Sequence, residues 1–289
     1  METTQKVYEV LRWASSFLEK SSYESTIAER LMIHHTGWSR AELLTKLQAP
    51  LPAKVHEAFL NDVKKAANGT PVQHITGNEE FYGRTFEVNS NVLIPRPETE
   101  ELVYLMLEKI KSSFHSTSPV RIVDVGAGSG IISITLSLEL ADAEVFAVDI
   151  SQKALNVANR NNDELNGSVT FFEGDLLQPL ISAGEKVDVV VSNPPYIPES
   201  DRVFMKGNVT DHEPSLALFA DDNGLAIYKQ LIAQIPKVLS IPGLIGFEIG
   251  HNQGEAVKNL ILSTYPQANV SIHNDINGKE RIVFAEVRG

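Results

Sequence analysis

The apolar positions of the first seventy residues recur at helical spacing, with no convincing strand among them. Tyr8, Leu11, Trp13, Phe17 and Leu18 mark one helix, and Ile27, Leu31 and Met32 a second. A third runs from Ser39, a good N-cap, to Leu47. After Pro50 and Pro52, Val55, Phe59 and Val63 mark a fourth. The aromatic residues of this stretch are expected to pack in the core of a small helical bundle. From Thr70 the texture changes. PVQHITGNEEFYGRTFEVN sets short β-prone runs around Gly77 and Gly83, which predicts a hairpin-like connector. VLIPRPETEELVYLMLEKIKSS then reads as an extended piece turning into a helix near Pro97. Glu98, Glu100 and Glu101 suit the positive end of its dipole.

Beyond Pro119 the pattern alternates between strand and helix. Arg121–Val125, Glu144–Asp149, Val169–Glu173, Val187–Ser192, Leu244–Ile249 and Arg281–Val287 read as strands. Ile131–Leu140 and a stretch from Ser151 to about Leu165 read as helices. Strands apolar on both faces and separated by helices imply an α/β fold with a mostly parallel, doubly wound sheet. The expected division is a helical bundle over 1–72, a connector over 73–92 and a catalytic domain over 93–289.

Composition narrows the function. The 289 residues carry a net charge of −12, which argues against a large nucleic-acid footprint. There is no cysteine, so disulfides, thiolate metal sites and cysteine nucleophiles are excluded, which suits a cytoplasmic location. No apolar run is long enough to cross a membrane, and the amino-terminal stretch does not read as a secretory signal. The histidines, His74, His212 and His251 among them, show no metal-ligand spacing, and no metal is expected.

Two constellations carry chemistry. The first is Asp124-Val125-Gly126-Ala127-Gly128-Ser129-Gly130 between a strand and a helix, where glycines permit a tight turn and close ligand approach. Asp149 ends the next strand, nineteen residues past Gly130, placed to accept hydrogen bonds from ribose hydroxyls. The third glycine of a dinucleotide loop is missing. Asp124 would be a poor neighbour for a pyrophosphate and a good one for a sulfonium, so S-adenosylmethionine is favoured over NAD. Ile150, Asp175, Leu176 and Asn193 complete the expected cofactor set, with Asp175 and Leu176 near the adenine. The second constellation is Asn193-Pro194-Pro195-Tyr196 at the end of the fourth strand. An asparagine amide oxygen and a proline carbonyl, held stiffly, can each accept one hydrogen of a planar –NH2 group beside the tyrosine face.

With its glycine loop and NPPY, the chain resembles methyltransferases acting on planar amino nitrogens. More closely it resembles the HemK/PrmC family, through QHITGNEEFYG at 73–83, IPRPETEELV at 94–103, DHEPSLALFADDNGLAIY at 211–228 and FEIGHNQGE at 247–255. The resemblance implies a Rossmann-like class I fold and S-adenosylmethionine as cofactor. The activity it implies is N5-methylation of the glutamine in the GGQ motif of bacterial peptide-chain release factors. It places Arg96, Pro97, Glu98 and Thr99 along the glutamine pocket, with Asn193, Pro194, Pro195 and Tyr196 at the substrate amide. His212, Glu213 and Pro214 fall on a flanking loop where structural use is equally open, and so is a plain salt bridge for Arg96. Leu176 stands where the family often has an aromatic residue. Asn193, Pro194 and Tyr196 are the expected catalytic residues. The bundle is expected to dock the release factor, and the protein to act as a monomer without nucleic acid or membrane. The alternative reading is an adenine-N6 or guanine-N2 methyltransferase using the same clamp on a flipped base.

Overall fold

The structure, a computed structural model, describes residues 5–114, 118–204 and 210–288. Every expected site residue lies among them; residues 1–4 of the amino-terminal stretch do not. The described residues form two compact units, 5–78 with 210–212, and 79–204 with 213–288.

The first unit holds α1 (Val7–Lys20), α2 (Thr26–Thr36), α3 (Arg40–Thr45), α4 (Ala53–Ala67) and α5 (Val72–Thr76). Ser39 caps α3 through a reciprocal pair with Glu42, as its position predicts. The buried stripe of α1 differs from the one expected. Val7, Val10, Ala14 and Leu18 face the core, and Tyr8 and Trp13 stay 37% and 43% exposed. These residues sit three or four apart and suffice to pack on Leu31, Phe59 and Val63, which leaves Tyr8 and Trp13 on the outer face.

The stretch expected to be a connector begins with α5, which Gly77 ends in a left-handed conformation (φ +75°). The hairpin follows as β1 (Asn78–Phe81) and β2 (Arg84–Glu87). Tyr82 and Gly83 turn it with positive φ at both central positions.

The second unit continues with α6 (Pro97–Ser113), β3 (Arg121–Val125), α7 (Ile131–Glu139), β4 (Glu144–Asp149), α8 (Gln152–Leu165), β5 (Val169–Glu173), α9 (Gln178–Ala183) and β6 (Val187–Ser192). The two-residue strands β7 (Ile197–Pro198) and β8 (Phe219–Ala220) pair with each other. Then come α10 (Ala226–Gln234), β9 (Leu239–Glu248), α11 (Gly254–Thr264), β10 (Asn269–Asn274) and β11 (Glu280–Val287). Seven strands form one sheet in the order β10-β11-β9-β6-β3-β4-β5, parallel except where β11 runs against β9 and β10. Alternation along each strand separates two cores. Val123, Phe146 and Val190 face one layer, with Tyr228 of α10 and Val257 of α11. Ile122, Val145 and Val189 face the other, with Leu102 and Met106 of α6 and Ile134 of α7. The sheet is thus doubly wound, as the alternation of elements predicts. β10 escapes the hydrophobic pattern because NVSIHN is a half-buried edge strand.

The chain order reverses between β3 and β6, which opens a crevice at the strand carboxyl ends. Val125 is in register with both Val148 and Ser192, so the loops after β3, β4 and β6 leave the sheet at one level.

Gly130 begins α7 with φ +83°, and a Cβ there would stand 2.6 Å from Ile134 Cδ1 and 3.3 Å from Ala158 Cβ. Gly130→Ala is therefore expected to destabilise the fold by about 1–3 kcal/mol. Urea unfolding reads this, and an unchanged midpoint would refute close packing of α7 on α8.

Candidate active site

A cavity of about 260 Å³ occupies the crevice, and segments after β3, β4, β5 and β6 line it together with Asn91, Val92, Leu93, Pro95, Arg96 and Thr99. The loop after β3 is closed on itself. The Gly126 and Ala127 N–H groups both donate to Val148 O (2.8 and 3.0 Å), and the Gly130 N–H donates to Ala127 O. Gly126 (φ +81°) and Gly128 (φ +55°) both line the cavity, and a Cβ on either would enter open space. They are a cradle that side chains would fill.

Asp149 sits across from this loop. Its Oδ2 accepts the Gly128 N–H and its Oδ1 the Ser151 N–H, both at 2.8 Å. Each oxygen keeps a further lone pair for a hydroxyl donor. Beside it Ile150 is 60% exposed, an apolar ledge at the cavity wall, and Leu176 takes a left-handed conformation (φ +51°) at the same wall. A carboxylate for a diol, an apolar ledge for a base and a glycine cradle fit the adenosine and amino-acid parts of S-adenosylmethionine.

The other side of the cavity is Asn193, Pro194 and Pro195. Buried groups hold this turn from behind. Asn193 Nδ2 donates to Thr99 Oγ1 at 3.1 Å, and the Thr99 hydroxyl donates to Glu248 Oε2 at 2.7 Å. The Tyr196 hydroxyl donates to Glu248 Oε1 at 3.4 Å, and its own oxygen accepts from Arg281 Nη1 at 3.4 Å. Gln253 Nε2 donates to the Tyr196 carbonyl at 3.0 Å. Gly224 packs so closely there that a Cβ would lie 2.0 Å from that carbonyl. Burial, with the nearby Glu248 charge, pushes the Tyr196 phenol well above its ordinary value, so it stays protonated.

Of the residues expected at the cofactor, Gly126, Ala127, Gly128, Ser129, Asp149, Ile150, Asp175, Leu176 and Asn193 line the cavity. Asp124 and Gly130 do not. Asp124 is fully buried beneath the loop, where its Oδ2 accepts the Ser133 N–H at the start of α7 and its Oδ1 has no protein partner. Gly130 serves helix packing. On the substrate side Arg96, Thr99 and Pro195 line the cavity, and Pro97, Glu98 and Tyr196 lie off it. Tyr196 instead packs its ring against the core. Arg96 Nη2 pairs with Glu213 Oε1 at 2.6 Å, and Glu213 Oε2 accepts the Ile94 N–H at 2.9 Å. Glu213, with its side chain 1% exposed, therefore tethers the 94–96 segment.

Sequence reasoning passed over Glu248, Gln253, Arg281 and Asn161. Asn161 Oδ1 accepts the Glu87 N–H at 2.7 Å while its Nδ2 donates to Ser129 O at 2.9 Å, which ties the glycine loop to β2. An acid ending an apolar strand, as Glu248 does in LIGFE, was the available signal. Among the described residues no cluster of histidines and acids is arranged to hold a metal ion.

The fold and this crevice define a class I S-adenosylmethionine-dependent methyltransferase. Solved structures agree at the level of fold. A methyltransferase from Pyrococcus furiosus superposes with TM-score 0.53 at 14% identity, over 82% of this chain and 100% of that one. The hMettl16 catalytic domain, solved with an RNA hairpin, gives 0.55 at 15% identity, over 78% and 82%. The PrmC N-terminal domain family matches residues 9–77 and the methyltransferase small domain family residues 103–207. A release factor glutamine methyltransferase of Bacillus subtilis (strain 168) is 46% identical over 96% of this chain and 97% of its own length. That of Bacillus anthracis is 44% identical over 98% and 99%. The chain belongs to the release factor glutamine methyltransferase family.

Burial pushes two carboxyls up to about 7, Asp124 under the loop and Glu248 behind the turn. A raised carboxyl pKa means that the folded state prefers the protonated form. The resulting stability is complete below the ordinary carboxylate range and is lost as pH rises through about 7. Thermal unfolding is expected to show a falling melting temperature from about pH 5 to pH 8. Glu248→Gln should remove part of that slope, on the order of 1–3 kcal/mol. A slope unaltered in Glu248→Gln would show that this carboxyl titrates normally.

Proposed function

We propose that this protein methylates the side-chain amide nitrogen of the glutamine in the Gly-Gly-Gln segment of a peptide-chain release factor. The observation that carries this is a single cavity joining the glycine cradle and Asp149 to Asn193 and Pro194, in a chain of that family. Bound there, S-adenosylmethionine supplies an electrophilic methyl group.

A primary amide nitrogen is a poor nucleophile because its lone pair is delocalised into the carbonyl. Asn193 Oδ1 and the Pro194 carbonyl each accept one N–H of the substrate amide. They hold the nitrogen in line with the methyl group and favour the positive charge that develops as the bond forms. Pro194 and Pro195 stiffen the turn, and Gln253 and Gly224 fix the backbone beyond it. Tyr196 supports the turn from the core side. The methylated amide cation is acidic enough to lose its proton to water, so no strong base is needed. Arg96, placed by Glu213, and Thr99 border the entry for the glutamine side chain.

The α1 face bearing Tyr8, Trp13 and Phe17 is the part of the first unit suited to docking the release factor. The exposed Trp13 stacks on the half-buried Phe17 at 5.1 Å. The net charge of −12 favours a basic protein loop over nucleic acid, and a release factor substrate supports a cytoplasmic location.

Incubation of a release factor with S-adenosylmethionine and this protein should add one methyl group to the Gly-Gly-Gln glutamine, read by peptide mass spectrometry. Asn193→Ala should lower turnover at least 100-fold, about the loss seen when a preorganised transition-state contact is removed, with cofactor affinity little changed. Methyl transfer to RNA or DNA in place of the release factor would overturn the substrate, and full turnover by Asn193→Ala would overturn the clamp.

A Tyr8→Ser, Trp13→Ser double substitution should raise KM for the release factor and leave that for S-adenosylmethionine alone. Steady-state kinetics reads both, and equal constants would remove the docking role.

A further inference from the structure

We infer that Glu248 and Thr99 fix which end of the Asn193 side-chain amide faces the cavity, through a hydrogen-bond chain with a set direction. The inference rests on the proposed role of Asn193 as an amide acceptor and names the residues that make it one.

Thr99 lies in the first turn of α6 and is 1% exposed; Glu248 ends β9 and is 2% exposed. The Thr99 hydroxyl has a single proton. Above about pH 7, where Glu248 is ionised, the carboxylate has no proton to give, so the short 2.7 Å contact uses the Thr99 proton. Only lone pairs then remain on Thr99 Oγ1, and only a donor can approach them. Asn193 must present Nδ2 at 3.1 Å, which leaves Oδ1 for the cavity. The opposite amide rotamer would set two oxygens against each other with no proton between them. It would also offer N–H donors to a substrate group that itself has only N–H donors to give.

Packing does not explain the carboxylate. Among the described residues no cation lies within ion-pair distance of Glu248, and an apolar side chain in its place would avoid the desolvation. The group is nonetheless held from every side. Tyr228 donates to the Glu248 backbone carbonyl at 2.6 Å, and Tyr196 closes on Oε1. Arg281, which pairs with Asp275 and touches the Tyr196 oxygen, supplies the nearest positive charge, and Glu98 adds negative charge from the α6 side. Thr99 and Glu248 are thus positioning residues that act through Asn193.

The test compares Thr99→Val, equal in shape but without the hydroxyl, with Thr99→Ser, which keeps it. Thr99→Val should lower kcat on the release factor about 10- to 100-fold, the scale of lost orientation, with the S-adenosylmethionine dissociation constant within about twofold. Thr99→Ser should restore most of kcat. In an Asn193→Ala background Thr99→Val should cause no further loss, because the chain then has nothing to orient. A Thr99→Val enzyme with normal kcat, or losses that multiply in the double variant, would overturn the inference.

A readout independent of substrate is the Asn193 side-chain amide in protein labelled with ¹⁵N-asparagine. Its protons should exchange slowly in the wild type and at least tenfold faster in Thr99→Val, an effect on the order of one lost hydrogen bond. Equal exchange in the two proteins would also refute the inference. Failure of the wild type to methylate a release factor would instead count against the proposed function, and the exchange measurement would still decide this point.

Discussion

Where β3 and β6 part company, Ser192 donates its hydroxyl proton to the Val125 carbonyl at 2.6 Å, inside a fully buried pair of strand ends. The site depends on that junction. The loop that follows Val125 is the glycine cradle, and the turn that follows Ser192 carries Asn193 and Pro194. Locking the two strands in register sets the distance between cofactor side and substrate side without a contact between the loops. A hydroxyl suits this place because the strands diverge beyond it, and its bond adds to the ladder at its last rung.

Around the junction the protein accepts electrostatic penalties that packing alone would avoid. Asp124 and Glu248 are both buried and both displaced toward neutral pH, one under each half of the cavity. Asp124 braces the start of α7 beneath the cradle, and Glu248 stands behind the substrate turn. Buried acids of this kind specify direction. Once ionised, such a carboxylate only accepts, so it dictates the proton positions of whatever donates to it. An apolar replacement would pack as well and specify nothing.

The strand–helix alternation, the cradle and the NPPY turn were legible in the sequence because each is local. Glycines near a strand end, an acid one strand later and an Asn-Pro-Pro turn announce themselves within a few residues. Asp149, Ile150 and Leu176 followed from the same order of elements. What escaped was pairing across the chain. Asp124 reads as a cavity residue until β3 is seen to turn it inward, and Gly130 reads as a cradle glycine until α8 is seen to press on it. The exposed aromatics of α1 misled for a related reason. Their spacing is helical, but the small residues Val7, Val10 and Ala14 own the buried stripe. The edge strand β10 offered only Val270 and Ile272 as apolar positions, both half-buried against the core.

The chain from Glu248 through Thr99 to Asn193 spans 149 residues in its first link and 94 in its second. Contacts of such sequence separation form only once the intervening loops have closed, which ties them to completion of the sheet rather than to early local structure. During synthesis the glycine cradle and the NPPY turn leave the ribosome before β9 does. Until Glu248 joins, the contact between the Thr99 hydroxyl and its carboxylate is missing. Completion of the Glu248–Thr99–Asn193 chain of hydrogen bonds therefore waits on one of the last strands to be made.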